Sequence, residues 1–409
     1  MLEDNNTRRS SGSISILILI IAGVIINALG GGVKSNFGII IQPLTVYSGV
    51  GYASISFILG IAQLMYGVTQ PLWGMLALKR SNTQVLLCGL PVMAGGLILT
   101  SITHSGTVMF ISLGLMVGCG AGALCFGMIM GAISPFLGSQ KAAAASGILN
   151  AGSGIGGAAL SPIIQQVSSS AGISTALVML AAPFIFMIPV VLWMKGKEIG
   201  LNCDDLSQDS HKSASSLAIF REAIATPDFR RLMAGFGTCG FHMIIIHTHM
   251  VSHFTSLGIS AARAAVIYTF YGIFTMLGAV VSGLLCTRFR LKNVLGSLYV
   301  IRAAAVALFL FAAPKNLFSM VAFAFVLGMT GDATVTPTSE IISRRFGART
   351  MGFLFGITYV CHQTGAFISS WLGGVFIDNM GNYELIWMAD IALCAFAALV
   401  SFRISFKED

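Results

Sequence analysis

Short polar breaks divide the amino-acid sequence into twelve apolar runs of about 17 residues or more. A helix rises about 1.5 Å per residue, so a helical run of this length can cross the hydrocarbon core of a bilayer. The runs lack the two-residue alternation that is typical of barrel strands. The sequence therefore predicts an all-α polytopic membrane protein with twelve transmembrane helices in two six-helix bundles.

The composition excludes a soluble protein. Hydrophobic residues make up 56% of the 409 residues, charged residues only 9%, and the mean hydropathy is +0.86. Soluble domains carry about 25% charged residues, which they need to cover their surface. The eight cysteines form no CxxC pair and have no histidine at metal-ligand spacing, so we expect free thiols, no metal and no cofactor.

The positive charges predict how the chain is oriented. With both termini in the cytoplasm, 19 of the 23 Lys and Arg residues lie in cytoplasmic segments, and only Arg263 and Lys315 lie outside. The remaining two, Lys34 and Arg302, fall within helices. This asymmetry explains the net charge of +8 without a nucleic-acid partner. We expect a multi-pass protein of the plasma (inner) membrane, with an uncleaved first helix, because residues 14–44 are too long for a signal peptide.

A polar segment divides the runs into two sets of six. We expect an N-terminal bundle at residues 1–194, a cytoplasmic linker at 195–231 and a C-terminal bundle at 232–409. A weak repeat supports this division, because GMLALKRSNTQ follows the second run and GLLCTRFRLKN follows the eighth. Two related bundles indicate a carrier that binds its substrate between them and rocks about that site.

Lys34 is the first candidate for substrate binding. A lysine within a membrane costs about 2.5–3.5 kcal/mol on insertion scales, so it needs a partner, a route to the interface or a water-filled cavity. Asn27, Gly31, Lys34 and Gly38 follow one another at helical spacing and form a polar, small-residue stripe. This stripe favours a cavity wall or a close helix contact over an interfacial lysine that extends to water.

Histidines and a second set of charges supply further candidates. His242, His249 and His253 share one face of the seventh run, and we expect His249 to contact substrate. His253, Arg302 and Asp332 are candidates for proton coupling or for a buried ion pair. Other polar side chains at cavity depth complete the predicted substrate site, namely Asn27, Asn150, Tyr271, Tyr359 and Gln363.

Several segments resemble a known family. The two sets of six runs and the paired basic turns resemble the major facilitator superfamily. Four segments are similar to its monocarboxylate porter branch and to bacterial relatives of that branch, and they are VKSNFGIIIQPL at residues 33–44, HMVSHFTSLGIS at 249–260, YVIRAAAVALFLF at 299–311 and GFLFGITYVCHQTGAFISSWLGGVFID at 352–378. The resemblance implies that Lys34 binds the substrate carboxylate.

The sequence departs from the family pattern at two places. Leu78 stands where the superfamily usually carries an acid in its first basic turn. Thr275 and Ala279 stand where the animal porters carry an Asp and an Arg in the eighth helix. The resemblance therefore implies the fold and an anion site, and it leaves proton coupling without its usual residues.

These features together predict a secondary transporter of small organic anions, chiefly monocarboxylates, working by proton symport or anion exchange. The alternative is an exporter of drugs or other small neutral or lipophilic compounds on the same fold, which the basic, histidine-rich candidates disfavour. A membrane sensor is a weaker alternative, because it would call for an extra soluble signalling domain or long tails. An enzyme is weaker still, because we find no nucleophile–base pair or metal-ligand cluster in the sequence. We expect a monomer whose partners are the anion, protons and the lipid bilayer.

Overall fold

The computed structural model describes residues 2–133, 136, 138–198 and 216–405, and the secondary structure of this part is helical, without strands. The α-helices in chain order are α1 Leu2–Ser35, α2 Phe37–Ser48, α3 Tyr52–Lys79, α4 Asn82–Ser101, α5 Gly106–Met109, α6 Gly118–Ala123, α7 Phe126–Ile133, α8 Gly138–Glu198, α9 Ser216–Ala225, α10 Pro227–Ser256, α11 Ala261–Arg288, α12 Leu291–Phe311, α13 Leu317–Thr330, α14 Val335–Phe346, α15 Ala348–Met380 and α16 Glu384–Phe402. A π-helical turn, Phe110–Val117, joins α5 to α6, and a 3-10 turn, Asp332–Thr334, joins α13 to α14.

The helices account for the twelve predicted crossings. Nine helical stretches of the described chain are long and apolar enough to span a membrane, and one of them, residues 152–196, is long enough for two crossings. Helices α10 and α15, with 30 and 33 residues, have the length to span but carry more polar side chains. The protein is thus an all-α polytopic membrane protein, as predicted.

Three breaks in the described helices are each marked by a particular residue. Asn36 separates α1 from α2 because its backbone leaves the helical region. Gly172 bends α8 between the fifth and sixth spans, and its φ of 85° is one that side-chain-bearing residues rarely adopt. Gly331 ends α13, so the tenth span is broken in its middle. The break in the first span lies beside Lys34, and the break in the tenth span lies beside Asp332.

Glycines bring helices into backbone contact inside each half. In the N-terminal half, a Cβ at Gly32 would lie 2.7 Å from the Gly156 carbonyl carbon, and Asn27 Nδ2 donates to the Leu149 carbonyl at 2.7 Å. Both contacts join α1 to α8. In the C-terminal half, a Cβ at Gly240 of α10 would overlap the carbonyl group of His362 in α15. Close packing of this kind is how apolar helices associate in lipid, where hydrophobic burial does not drive association.

The two halves meet mainly along one end of the bundle. We call the end that holds Arg80, Arg288 and Arg403 the basic end, and the opposite end the far end. Three seams cross between the halves, α2 with α10, α3 with α15 and α8 with α11. Their contacts run from the far end to the middle of the spans and include Ala53 N with Asp378 Oδ2 at 2.9 Å.

The predicted linker overlaps helical structure at both of its ends. Helix α8 ends at Glu198, α9 occupies Ser216–Ala225, and α10 begins at Pro227. Residues 199–215 lie outside the described part of the chain, so the predicted bundle boundaries remain predictions. The described cysteines are free thiols, as expected for residues placed inside apolar spans, and Cys203 lies outside the described residues.

Gly240→Ala should destabilise the C-terminal half, because the added methyl group overlaps the His362 backbone, which cannot move aside. Overpacking of a close contact costs about 1–3 kcal/mol. The measurement is the midpoint of thermal unfolding of the purified protein in detergent. Gly356→Ala is the matched control, since a Cβ at Gly356 in α15 meets no atom within 4 Å. Equal midpoints for the two variants would contradict the proposed contact.

Candidate functional site

Lys34 lies at the end of α1, where the first span breaks. Its side chain is half-buried, and Nζ lies 4.2 Å from the centroid of the Tyr66 ring in α3. Its neighbours on the stripe serve as helix contacts. A Cβ at Gly31 would overlap Ser153 of α8, and a Cβ at Gly38 would lie 2.7 Å from the carbonyl oxygens of His247 and Thr248 in α10. Lys34 is therefore the member of the stripe that is not used for a helix contact, and its charged group is available to the space between the halves.

Asp332 is exposed in the middle of the bundle. The flanking residues Gly331 and Ala333 are buried, whereas the Asp332 side chain is accessible although protein surrounds it. An accessible carboxylate at this depth indicates an aqueous cavity. Its charge interacts with that of Lys34 across the halves and with that of Arg302 in its own half. Among the described side chains, Lys34 and Asp332 form no ion pair within 4 Å of each other.

Arg302 holds the break in the tenth span. Its guanidinium is fully buried, and Nη2 donates to the carbonyls of Thr330 and Gly331, each at 2.5 Å. Nη1 contacts Cys239 Sγ at 3.3 Å. The interrupted helix leaves these carbonyls without helical partners, and a buried unpaired carbonyl is costly. Arg302 thus fixes the turn from which Asp332 reaches the cavity, and its own hydrogen bonds go to backbone carbonyls and neighbouring side chains.

A fully buried carboxylate, Asp390, adds a second negative charge to the C-terminal half. His242 Nδ1 lies 2.8 Å from Asp390 Oδ2, and both side chains are fully buried. Cys394 Sγ lies 3.8 Å from each of these two residues. The three form a donor set that could hold a metal ion, but the nearby charge of Arg302, which acts on His242, opposes a divalent cation. We interpret these three residues as a buried cluster behind the cavity whose carboxylate balances the charge of Arg302.

Aromatic rings and two histidines surround the Lys34 ammonium. The Tyr66 ring packs against the Tyr359 ring with centroids 6.1 Å apart, and Tyr359 stacks on His362 at 5.2 Å. On the other side, His247 lies 5.9 Å from Tyr271. The Nδ1 atoms of His247 and His362 have no partner among the described protein atoms. The charge of Lys34 acts on both histidines, so they belong to the same electrostatic site.

His249 and His253 lie nearer the far end than this cluster. His249 bonds to Tyr52 and to the Ser370 carbonyl, and it therefore lies in the contact between the halves. His253 Nδ1 accepts a hydrogen bond of 2.8 Å from Trp387 Nε1 within the C-terminal half. The structure does not bring these two histidines together with Lys34 at the cavity.

The other predicted substrate residues divide into two groups. Tyr359 lies beside the site. Gln363 is fully buried against Gly67, and neither polar atom of its side chain has a hydrogen-bond partner within the described part of the chain. Tyr271 is buried, and its hydroxyl contacts Met243 Sδ at 3.7 Å. Asn27 is committed to its bond with α8. Asn150 falls in α8, but its side chain lies outside the described residues.

Sequence reasoning missed Tyr66, Tyr268, His247 and His362. Tyr268 donates to the Ser35 carbonyl and so joins α11 to the break beside Lys34. One signal was available for Tyr66, because Gln63, Tyr66 and Gln70 recur on one face of α3. The histidines gave no such signal, since only the packing of α10 and α15 decides which of their faces meets the cavity.

Twelve helical spans, two halves that meet along one end, and charged groups at mid-depth between them define a membrane carrier of the alternating-access class. Comparison with known proteins agrees. The Major Facilitator Superfamily model matches residues 20–254 and 232–409, and the chain belongs to this superfamily.

The chain is similar to monocarboxylate transporter 12 of Rattus norvegicus, with 24% identity over 381 residues, which cover 87% of this chain and 77% of that protein. Among solved structures it is similar to the nucleoside transporter NupG, with a TM-score of 0.78 and 16% identity over 96% of this chain and all of that one. It is also similar to a bacterial homologue of the human lysosomal transporter Spinster, with a TM-score of 0.74 and 15% identity over 96% of each chain. At these identities the solved structures support the fold alone.

Arg302→Met should destabilise the C-terminal half by about 3–5 kcal/mol, the range found when one member of a buried charged network is removed. The reason is that two buried carbonyls lose their hydrogen-bond donor and Asp332 loses a nearby positive charge. The measurement is unfolding of the purified protein in detergent. Arg263→Met, at an exposed arginine of α11, is the control. An Arg302→Met protein as stable as this control would show that the break holds without the guanidinium.

Proposed function

We propose that the protein is a secondary transporter of small organic anions, chiefly monocarboxylates, and that Lys34 binds the substrate carboxylate. The observation that carries this proposal is the half-buried Lys34 ammonium at the junction of the halves, with no ion pair among the described side chains. A carboxylate is the natural partner for such a group, because charge-assisted hydrogen bonds are about twice as strong as neutral ones. The similarity to monocarboxylate transporter 12 supports the same substrate class.

The balance of charge in the middle of the spans favours coupling to a proton. Lys34 and Arg302 are the cations at this depth in the described chain, and Asp332 and Asp390 are the anions. The charges of these four side chains sum to zero when the histidines are neutral. A bound carboxylate adds one negative charge, and an uncompensated ion in such a place costs several kcal/mol, about as much as a buried unpaired ion in a soluble protein. A proton on Asp332 restores neutrality.

Asp332 is the proposed proton site because it alone of the two carboxylates reaches the cavity. Asp390 is fully buried against His242, whereas Asp332 is accessible and acts on Lys34. A charged Asp332 competes with substrate for the Lys34 ammonium, and a protonated one does not. Proton and anion would therefore bind together, and transport would be symport. The absent eighth-helix pair of the animal porters is replaced, in this proposal, by a carboxylate of the tenth span.

The proposed orientation places the basic end in the cytoplasm, because lysine and arginine are enriched in cytoplasmic loops. The far end then faces outward. Since the contacts between the halves run from the far end to the middle, the structure corresponds to a carrier closed toward the outside and open toward the cytoplasm. Rocking of the halves about Lys34 and Asp332 would expose the site alternately on the two sides.

Lys34→Ala should weaken carboxylate binding roughly 100-fold, equivalent to about 3 kcal/mol, because the anion loses its only proposed charge partner. The measurements are uptake of radiolabelled short carboxylates into cells and ligand-induced thermal stabilisation of the purified protein. The control is Lys79→Ala, which removes an exposed lysine from the basic end. Undiminished uptake by Lys34→Ala at equal membrane expression would refute the role of Lys34 as the anion contact.

Asp332→Asn should separate substrate movement from proton movement. The amide cannot take up a proton, so we expect proton-driven accumulation to be lost while exchange of internal for external carboxylate continues. The measurement uses proteoliposomes with an internal pH-sensitive dye, which reports acidification on carboxylate addition. Asp378→Asn, at the far end, is the matched control. Persistent acidification with Asp332→Asn would exclude this carboxylate as the proton site, and absence of acidification in the unmodified protein would favour anion exchange.

A further inference from the structure

A hydrogen-bonded cluster closes the far end between the two halves. Tyr52 begins α3 in the N-terminal half, and its hydroxyl lies 3.2 Å from His249 Nδ1 and 2.9 Å from the Tyr383 hydroxyl. Both partners belong to the C-terminal half. His249 Nε2 lies 2.9 Å from the Ser370 carbonyl oxygen. The three side chains are buried, so water does not replace these bonds while the halves are in contact.

The chemistry of the partners determines where the hydrogens lie. The Ser370 carbonyl can only accept, so His249 Nε2 carries a hydrogen and donates it. The ring is then neutral when Nδ1 is an acceptor, and the Tyr52 hydroxyl donates to it. Tyr383 in turn donates to the Tyr52 oxygen. Every polar group of this chain of bonds is satisfied, and the whole depends on a lone pair at His249 Nδ1.

A proton on His249 Nδ1 reverses this arrangement. The imidazolium has two donors and no acceptor, so the Tyr52 hydroxyl must turn to accept from Nδ1 and the order of donors along the chain of bonds must reverse. The proton also places a positive charge in a buried contact, which is costly while the halves stay closed. The titratable and charged groups around His249 are Tyr52 on α3, Tyr383 before α16, His253 on its own helix and Asp378 on α15. The Asp378 carboxylate accepts from the Ala53 backbone, and among the described residues no carboxylate forms an ion pair with His249, so a charge on its ring would be unpaired.

We propose that His249, Tyr52 and Tyr383 form an outer latch that holds the carrier closed toward the outside, and that protonation of His249 from the outer side releases it. The latch regulates access to the site given under the proposed function, and it rests on the orientation proposed there. A carrier that takes up protons with its substrate then opens outward most readily where outside protons are abundant. The latch lies nearer the far end than Lys34 and Asp332, and it contacts neither.

The seam on the opposite side of the bundle provides a reporter of opening. Ser161 of α8 is fully buried and donates to the Ala265 carbonyl of α11 at 2.9 Å, across the halves. Ser161→Cys should react with a membrane-impermeant maleimide added outside only when the far end opens. Ser105→Cys, at an exposed position of the far end, corrects for the effect of pH on thiol reactivity. The chain without either substitution measures the background of the native cysteines.

Labelling is compared at about pH 8 and about pH 5, which bracket the ordinary titration of histidine. We expect acid to raise Ser161→Cys labelling several-fold relative to Ser105→Cys. His249→Gln keeps a donor and an acceptor but does not titrate, so its labelling should stay low at both pH values. Tyr52→Phe removes the donor across the halves, so its labelling should be high at both. His253→Gln, which alters a histidine bonded within one half, should keep the acid response.

Two results would overturn the proposal. Acid-induced labelling that is as large with His249→Gln as with the unmodified latch would place the sensor elsewhere. Labelling with Tyr52→Phe that stays as low as in the parent would show that the cluster does not hold the halves together. Neither result depends on substrate, so failure of the latch is distinguishable from failure of the Lys34 site, which the uptake of Lys34→Ala tests.

Discussion

The charge of Lys34 is compensated across the boundary between the two halves, and the rest of the site depends on this. The N-terminal half carries one positive charge at mid-depth, Lys34, while Arg302, Asp332 and Asp390 leave the C-terminal half with one net negative charge. The empty carrier therefore has opposite charges on bodies that must separate in order to rock. Since a lone charge in a low-dielectric interior is costly, neither half is neutral until something binds.

This division of charge gives a physical reason for the proposed coupling of anion and proton. In that proposal an anion on Lys34 would neutralise the N-terminal half, and a proton on Asp332 would neutralise the C-terminal half. If only the anion or only the proton binds, one half keeps a net charge while the carrier passes from one open state to the other. Together they leave two neutral bodies, whose rearrangement meets no electrostatic barrier of this kind. The proposed symport would thus rest on the placement of two residues and would require no direct transfer of a proton between them.

The twelve spans and the unusual surroundings of Lys34 could be predicted from the sequence, because both depend on local chemistry. The length of an apolar run determines whether it can cross a bilayer, and an isolated lysine inside one needs a special environment. The position of His249 could not be predicted in this way. Helical periodicity shows that His242, His249 and His253 share a face of α10, but the tilt of that helix places His242 beside Asp390 and His249 against Tyr52.

Asp332 was a candidate from the sequence, but its accessibility could not be predicted, for a related reason. Its accessibility depends on the break after Thr330, and that break is stabilised by Arg302 from a different helix. No pattern within the tenth run shows that its carbonyls are held by a guanidinium 28 residues away. Asn27 shows the converse, since its polar side chain looked suited to a cavity and instead bonds to α8.

The contacts that hold the halves together differ in kind from those that hold each half. Within the C-terminal half, Asp228 is buried and pairs with Arg231 at 2.8 Å and with Arg345 at 3.3 Å, so α10 and α14 are tied by charge. Across the halves, glycine faces and neutral hydrogen bonds such as that of Tyr52 predominate in the described chain. A neutral hydrogen bond contributes only about 0.5–1.5 kcal/mol net, whereas breaking a buried charged pair costs about 3–5 kcal/mol. Among the described residues, the neutral contacts between the halves therefore cost less to break, contact for contact, than the charged pairs within the C-terminal half, as rocking of one half against the other requires.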